Sequence, residues 1–267
     1  MLAQQLINEG NLPAALKALQ ETVRNDPSSA KHRVFLFQLL TVLGNWPRAL
    51  TQLEVAGKLD ASTMPMVQTY REAIQCEALR AEIFLGKRPP MIFGEPEQWV
   101  VLLLEALRLA GEGEHDKAAA AREQAFESAP ASKGTLNGEA FEWIADADQR
   151  LGPILEAIVN GRYYWIPFHR IKQMDIEAPA DLRDSVWMPA SFTWANGGET
   201  VGLIPTRYNE TTSSTDNSLL LSRRTEWVGN EPQAVCGLGQ RMLATDAGEV
   251  ALMDVRQIVF ADAVNNG

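Results

Sequence analysis

The sequence predicts an α+β fold: α-helical hairpins over residues 1–135, then a smaller, mainly antiparallel β domain with one or two helices over 136–267. Three observations predict it. A seven-residue phrase recurs 34 residues apart, the period of a two-helix repeat. Apolar residues in the first half follow a helical spacing, and after about residue 135 the spacing shortens towards two, with glycine-rich turns between short β-type segments.

The phrase is Gly10-Asn11-Leu12-Pro13-Ala14-Ala15-Leu16, repeated as Gly44-Asn45-Trp46-Pro47-Arg48-Ala49-Leu50, with Asp26-Pro27 answered by Asp60-Ala61. A glycine ends one helix, a large apolar residue packs the turn, and a small alanine lets the two helices approach. This is the tetratricopeptide (TPR)-like pattern, and it predicts a solenoid of stacked hairpins with an inner face of first helices. Gly113-Glu114-His115-Asp116-Lys117-Ala118-Ala119, followed by Ala129-Pro130, is a weaker third copy after a longer insertion. Leu16, Leu19 and Val23 line one face of the second helix, and Val34, Phe37, Leu40 and Val42 line the third. Residues 63–86 read as one long helix ended by Gly86, 87–96 as an irregular connector, and Trp99 to Ala110 as a further helix. Beyond the joint at Lys133-Gly134, Asp146 to Asn160 reads as a helix. Phe192–Ala195 and Thr200–Ile204 flank Asn196-Gly197-Gly198 as a hairpin, and Gln240–Thr245 and Glu249–Met253 flank Asp246-Ala247-Gly248 as a second. Val255 to Ala261 adds one more strand. The polar stretch 209–218 is expected to be an exposed loop.

Composition narrows the function classes. The chain has 267 residues, 24 Lys and Arg against 34 acidic residues, and a formal charge of −10. Both halves are acidic, with 15 basic against 20 acidic residues up to residue 150 and 9 against 14 beyond it. Nucleic-acid binding draws on clustered cations, so DNA and RNA are not expected partners. Two cysteines, Cys76 and Cys236, give no disulfide framework. No segment approaches the roughly 20 apolar residues of a membrane helix, and no basic leader precedes an apolar run, so a cytoplasmic protein without membrane insertion is expected.

No constellation carries catalysis. His32, His115 and His169 lie far apart with no Cys or carboxylate at zinc-ligand spacing, so neither metal nor cofactor is expected. His169, after Tyr163-Tyr164-Trp165-Ile166-Pro167-Phe168, reads as an imidazole satisfied beside an aromatic core. Gly237 and Gly239 begin a dinucleotide-like phrase, but Met242 occupies the third glycine's place and the context is a strand. Asp146 and Asp148, two apart on the expected helix, point away from each other into solvent. Arg223-Arg224 reads as a strand-edge or solvated pair, and Trp165, Trp187, Trp194 and Trp227 as core of the β domain.

The combination of these repeats with Trp143-Ile144-Ala145-Asp146-Ala147-Asp148-Gln149-Arg150-Leu151-Gly152-Pro153, Gly161 to Pro167, Asp181-Leu182-Arg183-Asp184, Trp187-Met188-Pro189-Ala190 and Thr206-Arg207-Tyr208 resembles the ImpE family, also called SciE or TagJ. The resemblance spans nearly the whole chain, with its specific part at 143–208. It implies a non-enzymatic accessory protein of bacterial type VI secretion systems. Such a protein would bind the small subunit of the contractile sheath through a helical segment of that subunit and modulate sheath recycling by the ClpV-type AAA+ ATPase. On the TPR-like pattern the inward, partner-binding positions are Lys31, Val34, Gln38 and Thr41, then Gln68, Glu72 and Gln75. Packing of these positions against the insertion or the C-terminal domain is the competing reading. A generic peptide-binding, co-chaperone-like module and an enzyme centred on His169 are the competing functions.

Overall fold

In the computed structural model, which describes residues 1–261, the repeated phrase makes the turn of two helical hairpins, α1 (Leu2–Asn8) with α2 (Leu12–Asn25) and α3 (Ala30–Val42) with α4 (Trp46–Leu59). Gly10 and Gly44 adopt φ of +78° and +67°, the left-handed turn that lets the final carbonyls of α1 and α3 be capped by the amides that follow. Asn11 then accepts a hydrogen bond from the Ala14 amide and starts α2. Helix α5 (Met64–Phe84) follows, then β1 (Met91–Ile92), and α6 (Gln98–Gly111) pairs with α7 (His115–Ser128) as the third hairpin. Ala15, Ala49 and Ala118, equivalent in the three copies, are all buried. The expected connector at 87–96 thus contains a short strand.

The remaining elements are β2 (Gly134–Leu136), β3 (Glu139–Phe141), β4 (Ile144–Asp146), β5 (Ile154–Val159), β6 (Arg162–Pro167), β7 (Ile171–Ile176), β8 (Trp187–Trp194) and β9 (Glu199–Pro205), then α8 (Asn217–Leu220), β10 (Thr225–Val228), β11 (Cys236–Gly239), β12 (Met242–Thr245), β13 (Gly248–Ala251) and β14 (Gln257–Phe260). Nine strands form one sheet in the order β1-β6-β5-β9-β8-β7-β14-β2-β3, antiparallel except where β1 pairs parallel with β6. Two small sheets, β13-β12-β4 and β10-β11, accompany it. Both expected hairpins are present, as β8–β9 and β12–β13.

Two expectations are corrected. The helix expected over 146–160 is replaced by the end of β4, a tight turn and β5. Every residue of β5 is buried, so a run rich in helix formers becomes a central strand because burial on both faces outweighs propensity. The stretch 209–218 is not an exposed loop: a 3-10 turn at Asn209–Ser213 buries Thr211 and packs against α5, and the start of α8 follows.

The helices and the large sheet share one core. Ile7, Phe37, Tyr70 and Phe84 belong to the same apolar cluster as Leu151, Tyr163, Trp165 and Trp187. A second cluster, with Leu155, Ile166, Phe192 and Ile258, fills the other face of the sheet.

Candidate protein-binding site

Lys31, Val34 and Gln38 lie one helical turn apart on α3 and, with residues of α1, line a groove of about 600 Å³. Ala180 to Leu182, Ser185 and Leu221 form its other wall, far away in sequence. Lys31 is exposed, Val34 half-buried and Gln38 buried. Helix α1 is held in place from that far wall. Arg223 donates to the Ile7 and Asn8 carbonyls at 2.9 and 3.0 Å, and Asn217 donates to the Gly10 carbonyl at 2.7 Å. A cation on the last carbonyls of a helix is favoured by charge as well as by hydrogen bonding. Both arginines are exposed, as expected of a solvated pair, but Arg223 spends its donors on the end of α1 while Arg224 is paired with Asp216 and Glu226.

The other expected positions fall elsewhere. Thr41 has no exposed surface. Its hydroxyl donates to the Gln38 carbonyl at 2.7 Å, and its own carbonyl accepts from Arg207 at 2.8 Å. On α5, Gln68 and Gln75 are exposed, and the Glu72 carboxylate lies against Gly161 in the turn between β5 and β6. The chain's own sheet region thus covers α3 at Thr41, while Gln68 and Gln75 stay exposed on α5 and the end of α3 beside α1 lines the groove.

A sealed network of charge makes that cover. Arg80 of α5 reaches Glu156 of β5 with Nε at 2.5 Å and Nη2 at 2.9 Å, and Nη2 also donates to the Arg207 carbonyl at 2.9 Å. Glu156 further accepts from Tyr163 and Arg241, and Arg241 continues to Asp146, which accepts from Tyr208 at 3.1 Å. Glu77 takes the Trp187 indole at 2.9 Å, and Arg207 gives its donors to the carbonyls of Thr41, Val42 and Leu220. Burial disfavours ionising Glu156, but Arg80 and Arg241 outweigh it and hold the carboxyl at about 2. Asp146 is pushed up to about 6 by burial, only partly opposed by Arg241 and reinforced by Asp148. Burial also lowers Arg207 to about 10.

Asp146 and Asp148 are therefore corrected: both are buried, Asp148 paired with Arg150 at 2.7 Å, and neither faces solvent on a helix. Each network carboxylate is buried and met by protein donors, so the arrangement fastens two layers together. Its members come from 77–80, 146–163, 187, 207–208 and 241, a dispersal with no signal in the sequence.

His169 is half-buried and meets Glu97 at 2.8 Å, a carboxylate also bonded by Arg170 at 2.8 Å and by the Trp99 indole at 3.0 Å. These partners hold Glu97 below its usual range despite its partial burial. Trp165, Trp187 and Trp194 are core, while Trp227 is exposed. Among the described residues no three His, Cys, Asp or Glu side chains are placed to hold a metal ion, and no helix is long and apolar enough to cross a membrane.

The model of the ImpE protein family matches residues 138–259. A protein of Pseudomonas aeruginosa, the "Type VI secretion system accessory component TagJ", is 54% identical over 260 residues, 97% of this chain and 91% of its own. The chain belongs to the ImpE family. A protein of Vibrio parahaemolyticus with a solved crystal structure has the same fold, with a TM-score of 0.87 at 23% identity over 99% of both chains. The ImpE match begins at β3 and ends in β14, so it covers Glu156, Arg207 and Arg241 but not their helical partner Arg80.

Proposed function

We propose that this ImpE protein is a non-catalytic, cytoplasmic accessory component of a bacterial type VI secretion system. In this reading it binds a helical segment of the small sheath subunit and modulates recycling of the sheath by the ClpV-type ATPase. The observation that carries the accessory role is the 54% identity, across nearly the full length of both chains, to the P. aeruginosa accessory component. The groove beside α1 is where we place the partner helix. Val34, Phe35, Leu182 and Leu221 offer apolar anchors, and Lys31 and Asp181 stand beside them as charges able to fix register.

Titration calorimetry of the full chain against the purified small sheath subunit tests the reading. We expect saturable binding at micromolar affinity or tighter. Val34→Asp should weaken it about tenfold or more, because a charge placed among apolar anchors loses about 1.4 kcal/mol or more. Gln75→Ala, on the exposed face of α5, should leave it unchanged. Absence of binding to either sheath subunit and to the ATPase would sink the adaptor role. Binding that ignores Val34→Asp but responds to Gln75→Ala would move the site to α5.

A further inference from the structure

The helical region carries a second recess, unrelated to the groove beside α1 and lined only by α2, α3, α4 and the α2–α3 turn. Three arginines converge on it: Arg24 from the last turn of α2, Arg33 from α3 and Arg48 from the first turn of α4. Gln20 and Gln52 add two amides, Val23 and Leu36 give an apolar floor, and no acidic residue lines the space of about 490 Å³. In a chain of net charge −10 such a concentration of positive charge stands out.

The charges are uncompensated. Among the described residues Arg24 and Arg48 have no ion-pair or hydrogen-bond partner within the chain, and both are exposed. Arg33 is half-buried and held by two neutral acceptors, the Pro27 carbonyl at 3.1 Å and the Gln52 side chain at 2.8 Å. Its orientation is therefore fixed while its charge stays unopposed. Asp26, the nearby carboxylate, is turned to the Ser28 hydroxyl and towards His32.

We propose that this recess binds an acidic segment of a partner polypeptide, one presenting two or three carboxylates around an apolar side chain. Guanidinium groups bind carboxylates through paired N–H donors, and the three are spread over three helices, as a short segment requires. The floor of Val23 and Leu36 accepts an aliphatic side chain between the acids. A nucleic acid fits less well, because the strongly acidic remainder of the surface repels a long polyanion. The proposal does not depend on the sheath reading.

Fluorescence anisotropy of the full chain with a labelled Glu-Leu-Glu-Glu-Leu-Glu peptide, at low salt, tests it. Saturable binding is expected, lost when the peptide's glutamates are replaced by glutamine. Arg24→Gln and Arg48→Gln should each weaken it about tenfold, as loss of one charge-assisted contact does. Arg162→Gln, which removes an exposed arginine elsewhere, should not. Circular dichroism of each variant checks that the fold is intact. No saturable binding, equal loss with Arg162→Gln, or affinity that survives both recess variants would overturn the proposal. So would a twelve-nucleotide single strand that binds more tightly than the peptide through Arg24 and Arg48, which would assign the recess to nucleic acid.

Discussion

Glu156 is a fully buried carboxylate on a central strand, and its ionised state is secured by two guanidiniums and a phenol. Its carboxyl titrates at about 2 in the folded chain against 4.5 for an unperturbed glutamate. A depressed value means that the folded state binds the proton less readily than the unfolded one. The stabilisation is complete above about pH 4.5 and is lost as the pH falls towards 2, on the order of 3 kcal/mol. Glu156→Gln removes this dependence, so urea unfolding at pH 6.5 and at pH 3 should find the gap between wild type and variant narrower at pH 3. A constant gap would mean that Glu156 is not the titrating anchor. Asp146, with its raised value of about 6, acts in the opposite sense between pH 6 and 3.8, but burial is the main cause of its shift and Glu156 contributes least, so most of its effect is common to both proteins. Arg80→Met should cost about 3–5 kcal/mol of stability in the same measurement, because it strips one cation from a buried carboxylate. None of this was legible in the sequence. Asp146 and Asp148 invited a helical, solvated reading because local spacing says nothing about an arginine nearly a hundred residues away.

Among the elements, the hairpins were the most legible, since a glycine in a left-handed turn and an alanine at a helix crossing are demands met by residue type alone. The β8–β9 and β12–β13 hairpins announced themselves the same way, through Asn196-Gly197-Gly198 and Asp246-Ala247-Gly248. β5 was hidden, because the segment from Asp146 to Asn160 contains Ala, Gln, Leu and Glu in helix-like proportion and its strand state is imposed by β6 and β9 on either side. Of the seven expected partner positions, the pattern gathered Lys31, Val34 and Gln38 but had no means of foreseeing that the sheet region would close over Thr41. Gly86 shows how tightly one element can be set. It ends α5 with φ of +70°, and a Cβ there would stand 2.7 Å from the Leu107 carbonyl oxygen of α6. Both the backbone conformation and the close approach resist a side chain, so Gly86→Ala should lower stability by about 2 kcal/mol or more, read from the urea midpoint. Gly113→Ala isolates the conformational part, because Gly113 has the same sign of φ with open space around it, and its loss should be smaller.

Across the whole molecule, the change from helix to strand near residue 135 is not a break in the core. Trp46 packs on Trp187 with ring centroids 5.7 Å apart, Tyr70 on Trp187 at 5.8 Å and Phe84 on Trp165 at 6.0 Å, so aromatic side chains from α4 and α5 meet those of β6 and β8. The short strand β1 leaves the helical region to pair with β6, and Arg80 carries a buried charge across to β5. Separating the two regions would expose these rings to water and leave Glu156 with one cation fewer, a loss that neither region can repair alone. Helices and sheet should therefore unfold together. Helical circular dichroism and tryptophan fluorescence, followed in one urea titration, are expected to give coincident transitions, because four of the seven tryptophans lie beyond residue 160 while the long helices all lie before it. Two separated transitions would show that the regions hold together independently and that the buried charges contribute little to the joint. A coincident pair that separates in Arg80→Met would identify that arginine as the coupling between them.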